Sequence, residues 1–315
     1  MNLIYQDSPV FISGLHYKLG GLRRELEQLR DEHLLAGSVE TLRQVGYQFS
    51  FGLRSDETLL NLAAEPFSAT LSDCRTPSSV ILQHCYAESA VLPWTSDERD
   101  VGARCRYFAG ALLKELGMIE LPYFCSFASG CAGFVFLCIS AAGILSSTRD
   151  GDIICAMADS MPPGVAYDLS RERILGSAQS SAFAIGRAER GYQLLGAAIY
   201  SSTRSLVPLL ELVKRTVEMI KDLAGTLGLT LDGSDVRIHY PNMFPDAWKM
   251  VTRHLRLSDE EHVLHGMAER AHCFGSDSVI TLSELYGQRK GRVHIVVNYG
   301  LGLHLGVCAL RETAG

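Results

Sequence analysis

Several features that mark large protein classes are scarce or missing in this sequence. Its 29 Lys and Arg fall short of its 35 Asp and Glu, leaving a formal net charge of −6 over 315 residues. A chain that neutralises nucleic-acid phosphates needs a basic face. The largest basic clusters, Arg23-Arg24 and Arg289-Lys290, read as solvated faces, so general nucleic-acid binding is excluded. No CxxC pair occurs among the nine cysteines (Cys74, Cys85, Cys105, Cys125, Cys131, Cys138, Cys155, Cys273, Cys308). That removes zinc-ligand spacing, and the odd count argues against a disulfide framework. Met1–Asp7 shows no basic segment running into an apolar one. Reduced thiols in the cytoplasm, most of them acting as small core hydrophobes, are therefore expected. No Pro-rich linker or low-complexity segment divides the chain.

Charge itself is missing between Glu120 and Arg149, a stretch long enough to cross a bilayer. It opens with Leu121-Pro122-Tyr123 and is dense in Ser, Gly, Ala and Cys rather than Leu and Ile. A strand, a tight turn and a wholly buried helix fit this composition better than a membrane span.

With 47% hydrophobic and 20% charged residues, the chain can fill one large or two ordinary cores. The patterns predict helices over Leu22–Leu35, Glu57–Leu71, Val101–Leu116, Cys131–Leu145, Leu206–Leu227, Asp246–Leu255 and Val279–Gln288. Strands are expected at Gly46–Arg54, Val80–Tyr86, Tyr123–Phe127, Asp152–Met157, Ser181–Ile185, Gln193–Tyr200, Val236–Tyr240, Val293–Asn298 and Leu303–Leu310. Such alternation predicts an α/β architecture with largely parallel pairing. A faint internal echo links Ser180–Gly186 with Asn298–Gly302. It suggests two halves, 1–188 and 189–315, each closing in an antiparallel strand pair.

The strongest chemical signal is Phe127-Ala128-Ser129-Gly130-Cys131-Ala132-Gly133-Phe134. A strand runs into a helix with a cysteine at the junction, the geometry of a nucleophile elbow. Glycines permit the turn, and a helix N-terminus lowers the thiol pKa. The competing reading is one more buried core cysteine. A thiolate nucleophile needs a base, and two histidines stand at predicted strand or helix ends. His239 opens His239-Tyr240-Pro241-Asn242, and His272 precedes Asp277 by five residues through a glycine turn. That spacing can fold the carboxylate onto the imidazole as the third member of a triad. The plainer alternatives are a satisfied strand-end histidine for His239 and a helix N-cap for Asp277.

The ordered set of Cys131 in SGCAGF with its small-residue helix, HYPN after a strand, the glycine turn before Val279, and the closing NYGLGLHLGVCAL resembles one group. That group is the β-ketoacyl-acyl-carrier-protein synthase III branch of the thiolase superfamily, and the resemblance runs from Phe11-Ile12-Ser13-Gly14 to Leu310. It implies a five-layered αβαβα thiolase fold of two similar halves and a homodimer packed through the N-terminal half. It also implies an acyl group loaded onto the cysteine from coenzyme A or an acyl-carrier protein, whose phosphopantetheine is substrate rather than cofactor. No metal or redox cofactor is implied. The synthases use Cys, His and Asn; here the Asn position falls on His272. His followed five residues later by Asp resembles acyltransferase members of the branch, of the cervimycin malonyl transferase and daunorubicin starter-unit type. Their nucleophile–His–Asp triad would be Cys131, His272 and Asp277, although Ala271 stands where glycine is usual and the following glycine is displaced by one.

His239 matches the first position of the synthases' HxxN segment. Two histidines at a thioester carbonyl suit decarboxylative condensation, where an enolate must be stabilised. A Cys–His–Asp triad suits acyl transfer to a hydroxyl, amine or thiol, and Asp277 tips the expectation towards transfer in polyketide-type metabolism. The backbone N–H of Cys131, with Gly302 and Asn242, is expected to provide oxyanion and substrate contacts. Phe124, Phe134 and Phe136 are candidates for acyl selectivity. An unrelated cysteine hydrolase leaves the Gly300-Leu301-Gly302 turn unexplained, and an inactive thiolase-fold partner subunit would usually have lost the cysteine. A dinucleotide enzyme is excluded because that turn cannot open a βαβ unit.

Overall fold

In the computed structural model, residues 2–92, 107–127, 129–148, 151–162, 165–169, 173–203, 207–231, 236–288, 292–300 and 304–313 are described. The charge-free stretch becomes a strand at Tyr123–Ser126, a 3-10 turn at Gly130–Ala132 and an α-helix at Gly133–Ser147. That helix buries Phe134, Val135, Leu137, Cys138, Ala141, Ala142 and Leu145, but it is not wholly buried as expected, because Ser140, Gly143, Ser146 and Ser147 form an exposed stripe. Among the described residues it is the one helix apolar and long enough to cross a membrane, and more than half of that window is buried inside the fold.

Ten strands form the main path of the sheet. In chain order they are β1 (Val10–Leu19), β2 (Pro77–Gln83), β3 (Tyr123–Ser126), β4 (Asp152–Asp159) and β5 (Gln179–Gly186). There follow β6 (Tyr192–Ser201), β7 (Val236–His239), β8 (His262–Val263), β9 (Val293–Gly300) and β10 (His304–Glu312). Their spatial order is β8-β7-β9-β10-β6-β1-β5-β4-β2-β3. Read outward from the middle, the two runs have one pattern: antiparallel inner pairs and parallel outer pairs. They join where β6 meets β1 over Tyr192↔Ile12, Gln193↔Phe11 and Leu194↔Val10.

Helices α1 (Leu59–Asp73) and α2 (Phe108–Glu115) cover the outside of one run. Helices α4 (Leu209–Leu227) and α5 (Pro245–His254) cover the other. Between the runs lie α3 (Gly133–Ser147) and α6 (Asp277–Leu285). Side-chain alternation explains how a strand serves two layers. Along β4, Ile154, Ala156 and Ala158 face α1 and α2, whereas Ile153, Cys155 and Met157 face the central helices. The result is the expected αβαβα stack.

Three details depart from the sequence reading. Pairing is antiparallel through the middle rather than largely parallel, because β10 runs back along β9 and β1 runs opposite to both neighbours. β1 itself was not anticipated, and it lies between β5 and β6, which therefore do not pair with each other. Leu22–Leu35 is not one helix. Leu22–Glu25 pairs with Phe49–Gly52, and a short helix, Leu26–Asp31, starts behind a Glu25–Gln28 capping box.

Candidate active site

Cys131 sits in the 3-10 turn between β3 and α3, at the N-terminal end of the central helix. Gly130 takes φ +50° there, a conformation costly for any residue with a side chain. Asn298 of β9 braces the turn from the other half: its Oδ1 accepts from the Val135 N–H at 3.2 Å and its Nδ2 donates to Ser278 Oγ at 2.7 Å. Gly300 packs so closely that a Cβ would lie 2.6 Å from the Ser129 carbonyl oxygen and 3.3 Å from the Cys131 nitrogen. Two strands from different halves thus set where the sulfur can be.

His272 arrives from the other half. Its N–H donates to the Leu175 carbonyl at 2.9 Å and its carbonyl accepts from the Ser177 N–H at 3.0 Å. Ala271, just before it, has φ +55° and ψ −153°, a region that glycine alone occupies without strain. The departure noted in the sequence is therefore a strained position beside the imidazole.

Asp277 is the hub of the cluster. Its Oδ2 accepts from His272 Nδ1 at 2.5 Å and from the Asn242 N–H at 2.9 Å. Its Oδ1 accepts from Arg270 Nη1 at 2.8 Å and from the Cys273 N–H at 2.9 Å. It is not the N-cap of α6, a position held by Ser276. Burial works against the carboxylate, but His272 and then Arg270 and the Cys273 N–H hold its pKa below the ordinary value. Burial likewise opposes the imidazolium, yet Asp277 and then Cys131 raise His272 to about 10. The Cys85 thiol, against burial and with help from His272, lowers Cys131 to about 6. Arg270, Asp277, His272 and Cys131 thus alternate in charge, which is how a buried ionic array escapes its desolvation cost.

Cys131 and His272 share one cavity of about 130 Å³, completed by Cys85, Tyr86, Gly130, Ile174, Met243 and Phe274. With Nδ1 committed to Asp277, His272 Nε2 makes no conventional hydrogen bond among the described residues and lies within electrostatic reach of the Cys131 sulfur. Such a site can hold a thiolate–imidazolium pair and relay one proton.

The remaining candidates fall elsewhere. His239 hydrogen-bonds through Nε2 to His294 Nδ1 at 2.8 Å and stacks on that ring. Burial, then His294 and Arg237, push its pKa well below the ordinary value. It does not line the Cys131 cavity. Asn242 stands beside the triad, but its side chain donates to the His265 and Ala271 carbonyls at 3.0 Å each, so it braces the turn. Gly302 lies outside the described residues. Phe134 is buried against Phe183, Phe136 lies edge-on to His304, and Phe124 is exposed on β3. Tyr86, Ile174, Met243 and Phe274 form the apolar walls instead. Arg270 and Cys85 carry no site signal in the sequence, and Asn298 enters it only as the first residue of the NYGLG segment; each reaches the site through contacts made by the fold. Among the described residues, no group of three or more His, Cys, Asp or Glu could hold a metal ion.

The stack and its doubled sheet define the thiolase fold. No protein-family model matches the chain, and no curated protein does. Solved structures do. The 3-oxoacyl-[acyl-carrier-protein] synthase III of Aquifex aeolicus superposes with a TM-score of 0.75 at 16% identity, covering 96% of this chain and 99% of that one. ChlB3, described as an acyltransferase, gives 0.77 at 14%, covering 97% and 98%. OleA of Xanthomonas campestris, in a single-substitution variant, gives 0.75 at 13%, covering 98% and 99%. The chain is similar in fold to all three over almost its whole length.

Proposed function

We propose that this chain is an acyltransferase that takes an acyl group from coenzyme A or an acyl-carrier protein onto Cys131 and passes it to a hydroxyl, amine or thiol. The observation that carries this reading is the 2.5 Å hydrogen bond from His272 Nδ1 to Asp277, in the cavity that holds Cys131. Fold similarity to acyl-thioester enzymes is consistent with it but carries no residue roles.

The chemistry follows from the charges. The Cys131 thiolate attacks the donor thioester carbonyl, and the donor's carbon–sulfur bond breaks. The departing thiolate takes the proton from His272 Nε2. Acylation removes the negative charge of Cys131, one of the two anions that keep His272 protonated, so the imidazole gives up that proton more readily. Neutral His272, its Nδ1–H still held by Asp277, then accepts a proton from the acceptor as that atom attacks the acyl-cysteine. Thiolate and imidazolium are restored. The small apolar cavity favours a short acyl chain. Condensation called for a second histidine at the sulfur, and His239 is instead engaged with His294. Exposed Tyr123, Phe124 and Phe127 on and beside edge strand β3 favour a homodimer formed through the N-terminal half.

Intact-protein mass after incubation with a panel of acyl-coenzyme A and acyl-carrier-protein thioesters tests the reading. An adduct on the wild type that is absent from Cys131→Ala, and is discharged by an amine or alcohol without carbon dioxide release, is the expected result. Carbon–carbon bond formation from a malonyl thioester would replace transfer with condensation. The absence of any adduct would remove the enzyme reading altogether.

A further inference from the structure

Cys131 has a second thiol beside it. Cys85 follows β2 and enters the same cavity, with its sulfur 3.7 Å from the Cys131 sulfur. Its backbone is pinned: the Cys85 N–H donates to Asp159 Oδ1 at 2.7 Å, and the Tyr86 N–H donates to the same oxygen at 3.2 Å. Asp159 ends β4 and is fully buried, so the anchor is rigid.

We propose that Cys85 is a further catalytic residue, whose thiol donates an S–H···S hydrogen bond to the Cys131 sulfur, holds it as thiolate and forms part of the wall against the acyl group. The inference rests on Cys131 being the nucleophile. Cys131 is thereby held by two donors, a charged imidazolium and a neutral thiol that keeps its own proton. The direction of the bond follows from the surroundings. Burial raises the Cys85 thiol well above its ordinary value, whereas Cys131 is lowered, so the shared proton stays on Cys85. Burial pushes the Asp159 carboxyl well above the ordinary range, against the backbone N–H groups of Cys85 and Tyr86 that it accepts from, and its charge helps to keep the proton on Cys85. Once Cys131 is acylated the Cys85 thiol loses its anionic acceptor. The hydrogen bond therefore stabilises the attacking and leaving sulfur more than the acyl-enzyme, which is the differential that assists departure of the Cys131 sulfur in the second half-reaction.

Iodoacetamide alkylation of Cys131, followed by peptide mass mapping under reductant between pH 4 and 9, measures the thiolate directly. In the wild type the rate should rise through about pH 6. In Cys85→Ala the rise should move upward by about one to two pH units, the scale of a lost hydrogen bond to a charged group. Cys85→Ser, which keeps a donor of similar size, should lie between. Superimposed profiles for folded Cys85→Ala, Cys85→Ser and wild type would overturn the proposal. Acyl-adduct formation is scored separately. Shifted profiles without any adduct would leave the thiol pair standing and remove the transferase reading. Adducts with superimposed profiles would do the reverse.

Discussion

Replacing Arg270 by methionine removes the guanidinium that holds Asp277 while keeping the bulk of its stem. Arg270 is 4% exposed and Asp277 1%. The substitution deletes the 2.8 Å bond to Asp277 Oδ1 and leaves Thr281 Oγ1 without its Arg270 donor, while the His265 carbonyl keeps Asn242 Nδ2. Breaking a buried ion pair by removing one partner costs about 3–5 kcal/mol. Asp277 retains His272 and two backbone N–H groups, which places the loss near ~3 kcal/mol. For a chain of 315 residues that corresponds to a Tm lower by roughly 4–5 °C. Arg270→Lys keeps the charge but not the planar fork, and should fall between. Calorimetry gives the stability and the alkylation profile of Cys131 gives the site. With one cation gone, Asp277 acts on His272 alone, so His272 is held protonated more firmly. An R270M variant melting within a degree of the wild type, with an unchanged profile, would refute the view that Asp277 needs both cations.

Two further expectations follow. In His272→Ala the thiolate loses its imidazolium, so the rise in Cys131 alkylation should move from about pH 6 to higher pH, and acyl loading at neutral pH should fall with it; an unmoved rise would separate His272 from the sulfur. Gly300→Ala would press a methyl group within 2.6 Å of the Ser129 carbonyl oxygen, backbone that cannot rotate away. A loss of about 1–3 kcal/mol, read from the denaturant midpoint, together with slower acyl loading, is expected; an unaffected variant would show that the turn is free to shift.

The parts of the site that could be read from the sequence were those set by local spacing. Cys131 lies at a strand-to-helix junction, and His272 and Asp277 lie five residues apart across one turn. His239 shows where that reasoning stops. A strand-end histidine can turn to either face, and the choice here was made by His294, 55 residues away. Arg270 carries no signal in the sequence, since only the fold brings Met267–Arg270 against α6. Cys85 reads as one core cysteine among nine, since only tertiary structure brings it to Cys131. The helices and most strands were visible because apolar spacing is local. β1 is hard to read because Val10-Phe11-Ile12 is a continuous apolar run and Gly14 separates it from the short alternation of Leu15, Tyr17 and Leu19 with His16 and Lys18.

The position of β1 at the seam has a consequence for synthesis on the ribosome. Leu19 pairs with Gln179 and Ile12 with both Ile185 and Tyr192. About 160 residues must therefore be made after this strand before its partners exist, a wait of roughly 10–30 s at ~5–20 residues per second. During that time Val10–Leu19 has two open edges and the apolar residues of the eventual seam. The first half cannot close its own innermost strand until β5 emerges, and the seam cannot form until β6 follows. Productive folding of the nascent chain is thus a race between elongation and capture of β1 by another chain. Slower translation or a crowded polysome should lower the yield of native protein more than any change in its final stability would.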